Sequence, residues 1–262
     1  MTVEPVPPLA ETQPASGVFL VDKPAGCSSF SVVRRLRRLL GIKKVGHAGT
    51  LDPFATGLLV LCAGREATRH IADFMEGEKR YTARLQLGVE TSTQDPEGEI
   101  TSTRPVEGVT MDAIRACLST MTGEQRQVPP PFSALKHKGK PLYHYARKGI
   151  MVNKPPRPVH IYSLEALDYV AESCQLEIAV TCSRGTYIRV LAADIGNALG
   201  CGAHLTSLRR TASSGFEVAE ALDGWLLFGS AEDAGAQSLL AARMSVEEAL
   251  ARAAKAVMPA TN

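Results

Sequence analysis

The order of apolar and polar positions predicts strands and helices in irregular alternation. "GVFLVDKP", ending at Pro24, is a near-continuous apolar run that the proline stops, and it predicts a short buried strand. In "SSFSVVRRLRRLLG", Val32, Val33, Leu36, Leu39 and Leu40 recur at helical spacing. Ser28 or Ser29 can cap that helix, Gly41 ends it, and its arginines fall on the opposite, wet side. Two later segments alternate with a period of two. In "YTARLQLG", Tyr81, Ala83, Leu85 and Leu87 share one face, with Thr82, Arg84 and Gln86 on the other. In "CQLEIAVTC", Leu176, Ile178, Val180 and Cys182 line up the same way. One polar face per strand predicts antiparallel, half-exposed pairing. "TYIRVLAADIGNALG" predicts a helix with Ile188, Leu191, Ile195 and Leu199 inward. Strands and helices without regular βαβ order point to an α+β domain on an antiparallel sheet. The last thirty residues are alanine-rich, with a capping-box pattern at "SVEE" before a helix containing Leu250.

Composition narrows the class. Of 262 residues, 45% are apolar, enough for a core, so global disorder is excluded. Residues 1 to 16 are proline-rich and polar, which predicts a disordered tail. That start has no basic cluster or apolar run, so no signal peptide is expected. No apolar stretch approaches the roughly 20 residues that cross a bilayer, so the expectation is a soluble, cytoplasmic protein with no membrane partner. Six scattered cysteines without a CxxC pair suit reduced thiols. Cys201 and His204 come nearest to a metal pair, but with no second pair buried structural roles are favoured over zinc.

Net charge is only +2, yet its distribution is uneven. From Gln125 to Leu164 there are eight basic residues and no acid, with Tyr143, Tyr145 and three histidines interleaved. Beyond Thr211 acids predominate. Cations beside stacking surfaces are what a nucleic acid requires, so the central segment points towards a polyanion.

Four groups are candidates for chemistry. "GHAGTLDPFATG" has no GK[ST] and lacks the setting of a dinucleotide loop, so it is not a nucleotide cradle. Its Asp52 precedes Pro53, and either caps a turn or acts as a nucleophile among Leu51, Phe54, Leu58 and Leu59. Only Glu66 lies nearby in sequence, and one acid without a partner makes an odd glycosidase. Arg189 opens an apolar helix; if buried it needs a carboxylate, whose pKa it would lower. Tyr81 either packs in the core or stacks on a base and moves a proton. His47, flanked by glycine, is a loop hydrogen-bonder or a catalytic group. Taken separately, none is decisive.

Together the segments resemble one family. "LVDKPAGCSSF", "KVGHAGTLDPFATGLLVLCAGREATR", "KRYTARLQLG", "PPPFSALKHKGKPLYHYARKGI", "CSRGTYIRVLAADIGNALG" and "GAHLTSLRRTASSGF" occur in the order found in bacterial tRNA pseudouridine synthase B proteins. They span roughly residues 17 to 216. The resemblance implies the pseudouridine synthase fold, a mixed, mainly antiparallel sheet flanked by helices. It implies isomerisation of the T-loop uridine of tRNA, position 55, to pseudouridine, with the base flipped out of the RNA. It also implies that Asp52 is the catalytic nucleophile, that Tyr81 stacks on the base and is the candidate for taking the C5 proton, and that Arg189 pairs with Asp52. Tyr187 and Leu208 would line the uracil pocket, His47 would occupy space near the flipped nucleotide, and Lys23 with Pro24 would support the loop. No cofactor or metal is implied. The partner implied is the T-arm stem-loop of tRNA, bound by a monomer.

The basic stretch, about 125–160, resembles the family's RNA-clasping insertion. Ser28 and Arg69 stand where many members have threonine and lysine. Beyond residue 216 the expectation is a helical extension over 217–262 and no complete RNA-binding PUA domain. A non-catalytic RNA-folding protein and a synthase acting on another RNA are the rival expectations.

Overall fold

The computed structural model describes residues 16–229 and 232–257. The tail expected over residues 1–16 lies outside the described residues but for Ser16. Among the described residues ten strands share one sheet. Its path runs Leu222–Asp223, Gly17–Lys23, Thr56–Ala63, Ala203–Ser213, Lys79–Leu87, Gln175–Cys182, Arg157–Val170 and Gly123–Gln127. Pairing is antiparallel except where Leu222–Asp223 joins Gly17–Lys23 and where Thr56–Ala63 touches Ala203–Ser213. The sheet is therefore mixed and mainly antiparallel, as expected.

The two halves of the sheet bury different amounts of surface, and their sequences differ accordingly. In Gly17–Lys23, Val18 and Leu20 face Phe74, Phe216, Ala249 and Ala253, while Phe19 and Val21 face Val32, Val33 and Leu36 of helix Ser29–Leu40. Both faces are dry, so the run is continuously apolar. Thr56–Ala63, "TGLLVLCA", is buried in the same way, and sequence reading did not single it out as a strand. Lys79–Leu87 and Gln175–Cys182 bury one face only, beneath Ile188, Leu191 and Ile195 of helix Ile188–Ala198. Their outer face carries Arg84 and Glu177, paired at 3.1 Å. Alternation follows from that single dry face.

Ser28 caps helix Ser29–Leu40 by accepting a bond from the Ser31 amide, and Gly41 ends it at φ 66°. Its arginines do more than face water. Arg37 Nη2 donates to the Val45 carbonyl at 2.9 Å, and Arg35 Nη2 to that of Gly229 at 3.1 Å. Towards the C-terminus, Ser245 Oγ accepts from the Glu248 amide at 3.1 Å and caps helix Val246–Val257. That helix places Ala249 and Ala253 in the same core as Val18 and Phe74.

Candidate active site

Asp52 sits between two clamps. On one side Ser29 Oγ donates to the Leu51 carbonyl and accepts from the Leu51 amide, both at 2.9 Å. On the other, the buried Lys23 Nζ donates to the carbonyls of Pro24 at 2.8 Å, Cys27 at 2.7 Å and Pro53 at 3.2 Å. The Gly26 amide also donates to Pro53 O, at 2.9 Å. Burial lowers the Lys23 pKa, while three carbonyl acceptors surround its ammonium. Held at Leu51 and Pro53, the loop presents the carboxyl between them. The turn itself is closed by the Asp52 carbonyl, which accepts from the Ala55 amide at 3.2 Å. The carboxylate is thus free for another partner.

That partner is Arg189, whose side chain is 4% exposed against 33% for Asp52. Its Nε donates to Asp52 Oδ2 at 2.9 Å, Nη1 to the Thr93 carbonyl at 2.9 Å, and Nη2 to the Phe132 carbonyl at 2.7 Å. Nη1 also lies 3.5 Å from Oδ2 of a second acid, Asp95. The segment around Arg189 is positioned by Gln127, whose side chain brackets the Tyr187 backbone: Oε1 accepts from its amide at 2.9 Å and Nε2 donates to its carbonyl at 3.4 Å. Burial pushes the Asp52 carboxyl above its ordinary value of 3.8, Arg189 opposes that rise, and Asp95 adds to it. The sequence led us to expect a net lowering by Arg189. The cation is in place, but desolvation outweighs it.

Asp52, Tyr81, Tyr187, Arg189 and Leu208 line one pocket. Tyr81 is buried, and burial raises its pKa while the Arg210 charge opposes the rise. His47 and Lys23 lie outside this lining. His47 belongs to strand Val45–Ala48, opposite Leu61, and its Nδ1 is buried without a hydrogen-bond partner. Burial, with Arg210 adding to it, holds the imidazole below its ordinary pKa. Of the weakest metal candidates, Cys201 is buried and His204 Nδ1 bonds the Val89 carbonyl at 2.8 Å.

Sequence reading missed three residues of this neighbourhood. Lys79 and Arg210 both line the pocket, and Asp95 is the second acid on Arg189. Two of them had left a signal. Lys79 alternates with Tyr81 and Ala83, and Arg210 with Leu208 and Ala212, which places each cation on the dry face of its strand. Asp95, like Asp52, precedes a proline in a turn.

The chain matches two family models: TruB family pseudouridylate synthase (N terminal domain) over residues 37–188, and tRNA pseudouridylate synthase B C-terminal domain over 189–226. Their boundary runs through the site, with Asp52 and Tyr81 before it and Arg189 and Leu208 after. Over 210 residues the chain is 58% identical to tRNA pseudouridine synthase B of Desulfotalea psychrophila, covering 79% of this chain and 85% of that protein. The protein of the same name from Thiobacillus denitrificans is 52% identical over 209 residues, covering 80% and 69%. Among solved structures, a chain of a Cbf5-Nop10-Gar1 complex superimposes with a TM-score of 0.65 at 28% identity, covering 90% of this chain and 61% of that one. A chain of an H/ACA RNP bound to a substrate RNA containing 2'-deoxyuridine gives 0.63 at 25% identity, covering 90% and 61%. By sequence and by fold, this chain belongs to the TruB family of pseudouridylate synthases.

Proposed function

We propose that the chain converts the T-loop uridine of tRNA, position 55, to pseudouridine, with Asp52 as nucleophile. The observation carrying this reading is a partly exposed carboxylate clamped on both sides and bonded to a buried arginine within one pocket. In the proposed reaction Asp52 forms a transient covalent bond to the nucleoside and the C1'–N1 bond breaks. The freed uracil turns, C1' bonds to C5, and the bond to Asp52 breaks to return the carboxylate. C5 loses a proton and N1 gains one, so electrons and atoms balance without cofactor or metal.

Each residue has a part in that scheme. Arg189 keeps Asp52 ionised against its desolvation and aims its oxygen. Tyr81 stacks on the uracil and handles the C5 proton, with Leu208 and Tyr187 as walls. His47 occupies space beside the flipped nucleotide, and Lys23 supports the loop. Extruding the base costs a few kcal/mol, which backbone contacts must offset. The exposed Lys136, Lys138, Lys140, Arg147 and Lys148 lie between strands Gly123–Gln127 and Arg157–Val170, well placed to grip RNA phosphates. Phe132, on the same connection, accepts from Arg189, so the grip and the site are joined. The partner proposed is the T-arm stem-loop, bound by a monomer in the cytoplasm.

The deciding experiment is tritium release from C5-labelled uridine in a T-arm stem-loop and in full-length tRNA. Release by the native chain and none by Asp52→Asn is expected. If both proteins bind the RNA and neither releases tritium, the RNA-folding reading replaces this one.

A further inference from the structure

Arg210 is the largest of the fully buried side chains, and none of the ion pairs among the described residues includes it. Its Nε donates to the Leu58 carbonyl at 2.8 Å and its Nη2 to the Gly49 carbonyl at 3.2 Å. A buried guanidinium satisfied by neutral carbonyls keeps its charge uncompensated. That charge borders the pocket.

Three features direct it at one group. In the antiparallel pairing of Ala203–Ser213 with Lys79–Leu87, Arg210 stands directly opposite Tyr81, and the register slips between Arg210 and Ala212. Irregularities of this kind re-aim side chains. Both side chains line the same pocket, and the Arg210 charge opposes the rise that burial gives the Tyr81 pKa. Gly49 and Gly57, both from the motif that holds Asp52, leave the room Arg210 occupies. A Cβ on Gly49 would lie 3.3 Å from its Nη1, and one on Gly57 would overlap its backbone carbonyl.

We infer that Arg210 is the positioning residue for Tyr81: it holds the phenol oxygen at the pocket wall and supplies the positive charge against which that oxygen exchanges a proton with the substrate. The inference rests on the proposed reading that Tyr81 takes the C5 proton. In that step the C5–H bond breaks, its electron pair restores the ring double bond, and the proton joins the Tyr81 phenolate before leaving to water. Burial opposes formation of that phenolate, as do Cys182 across the sheet and Asp52 on the loop. Lys79, Arg184 and Arg189 are the other cations lining the pocket; Arg184 is already paired with Glu76 and Arg189 with Asp52. Arg210 is the cation that stands directly opposite Tyr81 in the sheet.

The test is single-turnover tritium release between about pH 6 and pH 10 for the native chain, Arg210→Gln and Arg210→Lys, with RNA affinity and thermal midpoint alongside. Arg210→Gln is expected to lose about tenfold or more at neutral pH and to recover as pH rises, its limb displaced by about one unit or more. Arg210→Lys, which keeps the charge on a less rigid donor, falls between the two, with RNA affinity unchanged within about twofold. A loss of equal size at every pH overturns the inference, since a purely structural brace would act that way. Should Arg210→Gln not fold, Arg210→Lys is read by the same criterion. In a Tyr81→Phe background, adding Arg210→Lys should cost no further rate, and an additive loss also overturns the inference. If the underlying reading is wrong the signature differs, because the native chain releases no tritium or Tyr81→Phe releases it at the native rate. Either result removes the inference as well.

Discussion

Arg189 Nε meets Asp52 Oδ2 at 2.9 Å, joining a buried cation to a carboxyl that keeps a third of its surface open. The pair spans 137 residues of sequence, and it is asymmetric: one partner is anchored, the other is available. Asp52→Asn should therefore change stability little, because the open side chain gives up one bond. Tritium release should fall at least about a thousandfold if Asp52 is the nucleophile. Thermal melting and single-turnover release on the same preparation check both halves.

Arg189 behaves oppositely. Its truncation to methionine strands Asp95, whose side chain is only 5% exposed, and two backbone carbonyls at Thr93 and Phe132. A loss of about 3–5 kcal/mol in unfolding free energy is expected, together with loss of activity. Arg189→Lys should retain part of the stability and little of the activity, since an ammonium lacks the guanidinium's rigid fork. Urea denaturation measures the first and tritium release the second.

The acid limb of the reaction follows from the carboxyl. The folded Asp52 pKa is raised, so the nucleophile ionises at a higher pH than a free aspartate, and the limb should lie above pH 3.8. Removing Arg189 should move it higher still, because the opposing cation is gone. A pH–rate profile of the residual activity in Arg189→Gln, against native, reads the direction.

Lys79 carries a stability signature. Burial, with Arg210 adding to it, lowers its pKa from 10.5 to about 8. The unfolded chain thus binds more protons between those values, so this group's contribution is full above pH 10.5 and is lost as pH falls towards 8. Lys79→Met should flatten that slope in urea midpoints taken from pH 8 to 10.5, while costing some stability throughout by removing bonds to the Met75 and Gly77 carbonyls.

Gly57 has φ 103°, and a Cβ there would overlap the Arg210 carbonyl and lie 2.7 Å from the Arg210 nitrogen. Gly57→Ala combines left-handed strain with backbone overlap, so a cost of at least about 2 kcal/mol is expected. A urea midpoint close to native would contradict this account of how Thr56–Ala63 approaches Ala203–Ser213.

For the basic connection, Lys138→Ala and Lys140→Ala should each reduce the salt dependence of T-arm binding by about one unit of slope. Filter binding across a salt series checks it. A drop in affinity with an unchanged slope would mean the lysines act other than on phosphates.

The sequence by itself determined the local elements, because each is dictated by neighbours along the chain. Helix Ser29–Leu40 announces itself through its stripe, its serine cap and Gly41, and strands Lys79–Leu87 and Gln175–Cys182 through alternation. Asp52, Tyr81 and Arg189 could be singled out as chemistry out of place, and the order of the motifs tied them to a family. What those motifs could not convey was which charges end up sharing one pocket. Thr56–Ala63 is buried on both faces, so it shows no alternation to detect. Asp95 reaches Arg189 only because the turn between the paired strands Val89–Thr91 and Ile100–Thr103 meets the start of helix Ile188–Ala198. The direction of the Asp52 pKa was likewise a tertiary matter. Coulomb attraction can be anticipated from a partner's identity, but desolvation depends on how much water the assembled walls exclude, and only the packed structure decides that.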